Sequence, residues 1–477
     1  MACEIRLFLP ELFYLIMALV LFFVTVADAE GRRAAWPIAF GFSIFGVIVT
    51  LVSYTGDSWL FFKAYKVDAF SQIFKAILAV GFALVVTACQ KLEGVEERYQ
   101  PEFFLFLTTC TVGMMLLVSS MELMTMYVAL ELSSFSLYIL VPLRRGDDID
   151  VEAGIKYLFV GVTASCIMLF GMSYVFGVTR TTYIAEVAVK MPHLLNQPGA
   201  VMGLLLLLSG FFFKLAVAPF HFWAPDVYQG AANQVTTYIA TASKAAAVAL
   251  LIRLTALGGA SNVFLINVLI VLSVVSMTLG NLVAIVQKDL KRMLAYSAIA
   301  QAGYMLIGLL NMNSLGYSAA IFYTVAYMLM SFAAFLVVIQ VASQGQDLKI
   351  ADLAGLHKRA PLLALTLMLA LFSLAGIPPT VGFTGKFLVF AAAVQNGLFW
   401  LAVIGMINAT ISLYYYLMVI RAAYLIEPEE EQPAIAVNGG LRLLNYGLIV
   451  VMVYLGVYPQ QILGLADQAV RTILGGS

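Results

Sequence analysis

The stretch AVMGLLLLLSGFFFKLAVAPFHF, residues 200–222, decides the fold. It is long and apolar enough to cross a bilayer, which takes about 20 residues of helix. Yet it carries Lys214 and, five residues later, Pro219. A charge at the bilayer centre costs about 2.5–3.5 kcal/mol on insertion scales, and it persists where it is paired, hydrated or functional. We therefore expect a membrane helix that is interrupted and that lines a polar interior.

Apolar runs of similar length recur from end to end. They occupy residues 5–27, 35–55, 67–90, 102–119, 121–142, 152–178, 200–222, 233–256, 262–286, 293–310, 315–341, 361–394, 397–425 and 440–463. Because most connections between them are short, we predict an all-α integral membrane protein of about 14 transmembrane helices, with residues 1–477 forming a single polytopic domain. The first run ends in Ala27-Asp28-Ala29, a signal-peptidase-like pattern, but its length and acidic start favour a retained helix.

Composition narrows the class of protein further. Hydrophobic residues make up 62% and charged residues 11%, whereas soluble domains carry about 25% charged residues. The net charge is zero, which argues against a nucleic-acid partner. The four cysteines and three histidines are scattered, and no phosphate-binding glycine motif occurs. We expect no catalytic centre, metal site or bound cofactor in this chain, and a lipid bilayer as its surroundings.

The orientation follows from basic residues in the loops. Loops after odd-numbered helices hold 14 Lys and Arg residues, and the loops on the opposite side hold 7. Since cytoplasmic loops carry the excess of basic residues, we predict both termini on the non-cytoplasmic side.

Four charged residues lie near the middle of predicted helices: Glu131, Lys214, Lys244 and Lys386. Burial disfavours the charged form of a lysine, so an ammonium at this depth can release and regain a proton. A chain of such lysines joined by water would be a proton path. We expect the Glu131–Lys214 pair to close and open, passing a proton to Lys244, then to Lys386 and out to the non-cytoplasmic side. Glu131 as a purely structural ion-pair partner stays an alternative.

Two further lysines lie closer to the ends of predicted helices. A lysine within two turns of an end usually extends its ammonium to the interface, and we expect this of Lys75. Lys156 lies one turn inside a helix opened by Asp150 and Glu152, so both a surface role and a functional role stay open for it.

Two helix breaks resemble each other. Pro219 lies inside one apolar run, and Pro378 and Pro379 lie inside another; a proline there removes a backbone hydrogen bond and frees a carbonyl. Residues 213–220, FKLAVAPF, and 372–379, FSLAGIPP, share four identities at an offset of 159. Broken helices at corresponding places in two halves of a membrane protein indicate an ion pathway.

The offset spans five helices, an odd number, so the two repeats must be inverted in the membrane. We divide the chain into N-terminal helices (1–101), a first repeat (102–256), a second repeat (262–425) and a last helix (440–463).

Four segments together resemble a known family. They are KLAVAPFHFWAPDVYQG at 214–230, ATASK at 240–244, LKRMLAYSAIAQAGYM at 290–305 and SLAGIPPTVGFTGKF at 373–387. The sequence is identified by them as a member of the antiporter-like membrane subunits of bacterial NADH–quinone oxidoreductase (respiratory complex I), a family that includes the L, M and N types and Mrp-type sodium/proton antiporter subunits. PDVYQGA with the lysine of ATASK is typical of the N type, and the end of the chain at Ser477 disfavours the L type.

The resemblance implies two inverted five-helix units and discontinuous seventh and twelfth helices. The family's proton-translocation positions fall on Glu131 (helix five), Lys214 (helix seven), Lys244 (the central lysine), Lys386 (helix twelve), and two further basic positions, Lys156 and Lys291. One stretch departs from the family pattern: Ala232-Asn233-Gln234-Val235 replaces Pro-Thr-Pro-Val. This leaves open how the eighth helix starts.

The resemblance also implies a function. The chain would be a proton-translocating subunit in a bacterial inner (plasma) membrane, beside other antiporter-like and small membrane subunits of complex I. NADH, FMN, iron–sulfur clusters and quinone would be bound by partner subunits. Two alternatives stay open: an Mrp-type cation/proton antiporter subunit, and a non-pumping membrane scaffold whose buried charges only hold the complex together.

Overall fold

The computed structural model describes residues 6–54, 56–92, 94–144, 148–258, 263–342, 345–428 and 433–475. Its helices, in chain order, are α1 (Leu9–Val26), α2 (Ala29–Arg32), α3 (Ala35–Val52), α4 (Ala69–Ala88), α5 (Gln100–Ser119), α6 (Leu123–Leu140), α7 (Asp148–Thr179), α8 (Ile184–Leu194), α9 (Pro198–Leu215), α10 (Trp223–Gly230), α11 (Asn233–Tyr238), α12 (Lys244–Gly258), α13 (Val263–Ala284), α14 (Leu290–Leu310), α15 (Ser314–Val341), α16 (Leu356–Arg359), α17 (Pro361–Ala375), α18 (Val381–Gln395), α19 (Phe399–Leu425), α20 (Gly439–Val457) and α21 (Gln460–Leu474). A short antiparallel hairpin, β1 (Ser58–Leu60) and β2 (Tyr65–Val67), joins α3 to α4.

The predicted set of transmembrane helices is confirmed. In the described part of the chain, 13 helical segments are long and apolar enough to cross a membrane. The twelfth predicted run, 361–394, is divided into the shorter apolar helices α17 and α18. The seventh run also ends early as a single helix, because α9 stops at Leu215 and α10 continues after the break.

Several elements were not predicted from apolar runs, among them the hairpin, α8 and α21. The hairpin is too short to give a periodic signal. Helix α8 buries only Ile184, Val187 and Met191, one face of an amphipathic helix. The last run, 440–463, does not continue to residue 463: α20 ends at Val457, and the separate amphipathic helix α21 packs against α4 and α15.

The most buried helices form the centre of the bundle. The continuous helical segment Asn233–Thr255, which joins α11 to α12, is wholly buried, and α14 and α15 are nearly so. By contrast, fewer than a third of the residues in α1, α3 and α20 are buried. Polar side chains such as Lys244 on α12 and Gln301 on α14 are therefore enclosed by protein, which is where buried charges in membrane proteins are found.

The two helix breaks have similar backbone conformations. Helix α9 ends where Ala216 adopts a left-handed φ of 60°, and α17 ends where Gly376 adopts a φ of 91°. The Val217 N–H bonds to the Phe212 carbonyl at 2.9 Å, and 160 residues later the Ile377 N–H bonds to the Phe372 carbonyl at 3.0 Å. The breaks therefore align at an offset of 160. The offset of 159 from sequence identities was wrong by one residue, since it matched side chains rather than backbone.

Lys75 does not reach the membrane surface, and that expectation was wrong. Its ammonium is buried and lies 2.8 Å from Glu11 Oε1, while the Tyr65 hydroxyl donates to the same oxygen at 2.5 Å. The carboxylate comes from α1 and the tyrosine from β2, so the pair fixes α4 to both. A buried ammonium with a close carboxylate has no need to extend to water.

Candidate functional site

Lys214 and Glu131 each hydrogen-bond to serine hydroxyls and not to each other. The Lys214 ammonium, in the last turn of α9, donates to Ser133 Oγ at 2.5 Å and to Ser134 Oγ at 3.2 Å. Glu131 lies on α6, as do Ser133 and Ser134, but its carboxylate accepts a hydrogen bond from the Ser165 hydroxyl of α7. Both side chains are described, and no ion pair within 4.0 Å joins them. The predicted Glu131–Lys214 pair therefore stays a prediction, since the two side chains make no direct ion pair in this structure.

Lys244 follows a helical irregularity. Residues Ile239–Ser243 form a single π-helical turn between α11 and α12, a feature that often marks functional sites. The Lys244 ammonium donates to the Ala298 carbonyl of α14 at 3.1 Å and lies 5.7 Å from the centroid of the Tyr327 ring. Helix α11 begins at Asn233, although residues 232–235 depart from the family pattern.

Lys386 is bound by the carbonyls that the second break exposes. Its ammonium donates to the carbonyls of Leu374 at 2.8 Å and Ala375 at 3.1 Å, at the end of α17. The last carbonyls of a helix have no intrahelical partner, and the helix dipole favours a cation there. The Tyr304 ring lies 4.6 Å from the ammonium. The break therefore supplies the acceptors that a buried ammonium needs.

A polar network connects the surroundings of Lys386 to those of Lys244. The Gln301 side-chain amide donates to the Leu374 carbonyl at 3.0 Å, the same oxygen that accepts from Lys386. It also donates to the Tyr416 hydroxyl at 3.3 Å, which in turn lies 2.5 Å from Ser297 Oγ. Ser297 directly precedes Ala298, whose carbonyl binds Lys244.

Sequence reasoning missed this network, although a signal existed. Ser297 and Gln301 are four residues apart within the apolar helix α14, so they lie on one face. Both are buried, and a buried side-chain amide in a membrane helix is expected to have partners.

A second set of polar groups lies between Lys214 and Lys244. The Cys110 thiol donates to the Ser133 carbonyl at 3.2 Å, beside the hydroxyl that holds Lys214. Its neighbour Thr111 hydrogen-bonds to the Tyr238 hydroxyl at 2.6 Å. Tyr238 is the last residue before the π-helical turn that leads to Lys244.

Lys291 lies at one end of the bundle, at the start of α14. It is fully buried and donates to the carbonyls of Gln229 at 2.6 Å and Ala231 at 3.2 Å, at the end of α10. It also lies 3.2 Å from Asp347, which Arg144 contacts at 2.9 Å. Lys291 thus has an acidic partner, which Lys214, Lys244 and Lys386 lack among the residues that the structure describes.

Lys156 is not buried, in contrast to Lys214, Lys244 and Lys386. Its side chain is 43% exposed and pairs with Asp226 and Glu152, each at 2.7 Å. Arg292 pairs with the other oxygen of Asp226 at 2.6 Å. Asp226, which sequence reasoning did not single out, therefore fixes α10 to both α7 and α14.

Asp68 and Arg253 form a buried ion pair that sequence reasoning also missed. The Arg253 guanidinium donates to both carboxylate oxygens of Asp68, at 2.9 and 3.1 Å. Burial alone would raise the pKa of Asp68, but Arg253, the Ser71 N–H and Lys66 outweigh it, and the pKa lies below its ordinary value. The pair fixes the start of α4 to α12.

The comparisons with known proteins bear on the class of this fold. A family model described as the transmembrane region of NADH:quinone oxidoreductase and Mrp antiporters matches residues 120–412. In solved structures, the chain superposes on a subunit of Thermus thermophilus respiratory complex I with bound aureothin. The TM-score is 0.83 at 32% identity, over 96% of this chain and 99% of that one. A subunit of the Dietzia Mrp complex gives 0.86 at 21% identity over 98% and 97%, which shows the fold alone. Interrupted helices and buried lysines in this fold define an antiporter-like membrane subunit.

Curated relatives specify the type of subunit. The chain is 53% identical over 467 residues to NADH-quinone oxidoreductase subunit N 2 of Syntrophobacter fumaroxidans, covering 98% of this chain and 99% of the relative. It is 42% identical over 470 residues to the subunit N 2 of Opitutus terrae, covering 98% of each. The chain belongs to the subunit N family of bacterial NADH–quinone oxidoreductase, and it is a multi-pass protein of the plasma membrane.

Proposed function

We propose that this chain translocates protons across the plasma membrane, driven by quinone reduction in partner subunits that hold NADH, FMN, iron–sulfur clusters and quinone. The observation that carries the proposal concerns Lys214, Lys244 and Lys386. Among the described residues, none of these three ammonium groups has a carboxylate within 4.0 Å, and each donates only to neutral oxygens. A purely structural buried lysine would be expected to have an acidic partner, as Lys75 has.

The polar groups between the lysines support a route for the proton. From Lys214 the proton passes beside Ser133 and Tyr238 to Lys244. From Lys244 the proton passes along the network of Ser297 and Gln301 to Lys386. Water that enters beside these groups completes the route, since hydroxyls and amides in a buried cavity bind water.

Glu131 controls the first step. When its carboxylate leaves Ser165 and approaches Lys214, it stabilises the charged ammonium; when it returns to Ser165, Lys214 releases its proton toward Lys244. Moving one charge against 100 mV costs about 2.3 kcal/mol. The Coulomb attraction between two unit charges 4 Å apart is about 4 kcal/mol at an effective dielectric constant of about 20, so the loss of this attraction is comparable in size with that cost.

Protons enter the path at the basic end of the bundle. Lys291 and Lys156, with Asp347 and Asp226, lie on the side that the loop charges assign to the cytoplasm, and both termini lie on the opposite side. Residues 102–256 and 262–425 form the two inverted repeats, each with one interrupted helix.

A single variant separates this function from its alternatives. Glu131→Ala in the purified complex, reconstituted in vesicles, is expected to assemble and reduce quinone but to lower the proton-to-electron ratio by half or more. The matched control is Glu427→Ala, because Glu427 is exposed and pairs only with Lys358 among the described residues. Loss of assembly would favour the scaffold. Sodium-dependent pH changes without quinone would favour the antiporter, which the family model also includes.

A further inference from the structure

A second buried polar cluster lies beside Lys386, where helix α13 packs on α19. The Asn281 side-chain amide, on α13, donates to the Asn408 backbone carbonyl of α19 at 3.0 Å and to the Tyr304 hydroxyl of α14 at 3.3 Å. Its amide oxygen accepts from the Tyr415 hydroxyl of α19 at 3.0 Å. These four residues, which we call the Asn281 cluster, are all buried. One amide group therefore joins three helices.

The Asn281 cluster contacts Lys386 through a single aromatic ring. The centroid of the Tyr304 ring lies 4.6 Å from the Lys386 ammonium, and a cation at the face of an aromatic ring is attracted to it. Among the described residues, Asn281 is the only hydrogen-bond partner of the Tyr304 hydroxyl. Asn281 therefore fixes the hydroxyl end of the ring whose face binds Lys386.

A matching contact occurs in the first of the two proposed repeats. Thr111 and Tyr238 hydrogen-bond to each other across 127 residues of the chain, and the same number separates Asn281 from Asn408. Each contact joins the first helix of its proposed repeat to the last one: α5 to the segment that begins with α11, and α13 to α19. The first contact lies next to the π-helical turn before Lys244. Each proposed repeat thus has one such contact beside a buried lysine.

We propose that Asn281 is a positioning residue for proton transfer at Lys386: its amide holds the Tyr304 ring against the ammonium while the proton is taken up and released. This inference rests on the proposed function. The alternative is that Asn281 only joins α13 to α19. That role would not need Tyr304, which lies on α14, so the two interpretations differ in whether Asn281 and Tyr304 depend on each other.

The test is a double-mutant cycle in the purified complex, reconstituted in vesicles. We expect Asn281→Leu and Tyr304→Phe each to leave quinone reduction intact and to lower the proton-to-electron ratio by half or more. The double variant should fall no further, because both changes break the same contact, and the effects of residues in contact are not additive. Tyr304→Phe keeps the aromatic ring, so it carries the test even if Asn281→Leu does not assemble.

The matched control is Thr278→Val, which keeps the shape of the side chain and removes the hydroxyl that accepts from the Asn408 side-chain amide at 3.4 Å. This change weakens the contact between α13 and α19 without altering Tyr304, and it should leave the ratio unchanged. Asn281→Asp, of equal size, should restore most of the ratio at about pH 6, because burial keeps a carboxyl protonated and able to donate to the Tyr304 hydroxyl.

Four results would overturn the role of Asn281. They are a normal ratio in Tyr304→Phe, losses that add in the double variant, an equal loss in Thr278→Val, and a ratio in Asn281→Asp as low as in Asn281→Leu. Glu131→Ala in the same preparation tests the proposed function by itself. If Glu131→Ala lowers the ratio and the variants at Asn281 and Tyr304 do not, only the positioning role is wrong; if Glu131→Ala pumps normally, the proposed function fails.

Discussion

At the scale of single residues, Lys386 and Gly376 depend on each other. The left-handed φ of 91° at Gly376 ends α17 and exposes the carbonyls that bind the Lys386 ammonium. A Cβ at Gly376 would lie 3.1 Å from Cδ of Lys386. The glycine thus serves both the backbone turn and the space that the lysine chain occupies. The sequence predicted the break and the lysine, but it could not show that they contact each other, because twelve residues and a turn separate the donor from its acceptor.

Gly376→Ala should therefore disturb both stability and function. We expect a loss of about 1–2 kcal/mol from the left-handed conformation, visible as a lower unfolding temperature of the purified complex, together with reduced proton pumping. Gly440→Ala is the control, since nothing lies within 4 Å of its added Cβ. Equal behaviour of the two variants would contradict the role given to Gly376.

Gln301 is the second residue whose importance the structure reveals. Gln301→Leu removes the donor to the Leu374 carbonyl and the acceptor of the buried Tyr323 hydroxyl, which costs about 1–3 kcal/mol. We expect the complex to assemble, to reduce quinone, and to pump protons at less than half the normal ratio. Gln197→Leu, at an exposed position before α9, is the matched control. If Gln301→Leu pumped normally in vesicles, the proposed link between Lys244 and Lys386 would be wrong.

At the scale of elements, ion pairs between helices position the bundle. Glu11–Lys75 joins α1 to α4, and Asp68–Arg253 joins α4 to α12. Neither pair could be predicted, because 64 and 185 residues separate the partners and a single sequence carries no signal for such contacts. The spans themselves could be predicted, because about 20 apolar residues suffice to define each one.

The Asp68–Arg253 pair should make stability depend on acid. The pKa of Asp68 in the folded protein lies below its ordinary value, so its contribution is complete above about pH 3.9, the unfolded value, and is lost as pH falls through the folded pKa. We expect Asp68→Asn to lower the unfolding temperature at pH 7. The difference from wild type should shrink as the pH falls below about 4. A difference that stays constant over this range would show that the carboxylate charge has no such role.

At the scale of the whole molecule, the three buried lysines that have no carboxylate within 4.0 Å among the described residues come from three different helices, α9, α12 and α18. Of the three, Lys244 lies on the wholly buried segment. Composition and the four family segments predicted this membrane fold and placed its lysines in order along the chain. The hairpin and α21 escaped prediction, because strands of three residues give no periodic signal and α21 buries only one face of an amphipathic helix.

Lys244 tests the account most directly, because it lies on the wholly buried segment between the other two lysines. Lys244→Met keeps the length of the side chain and removes its ability to carry a proton. In vesicles, with Lys358→Met as the exposed control, we predict normal assembly, continued quinone reduction and a proton-to-electron ratio below half of the wild-type value. A wild-type ratio in the Lys244→Met complex would contradict the proton path through this chain.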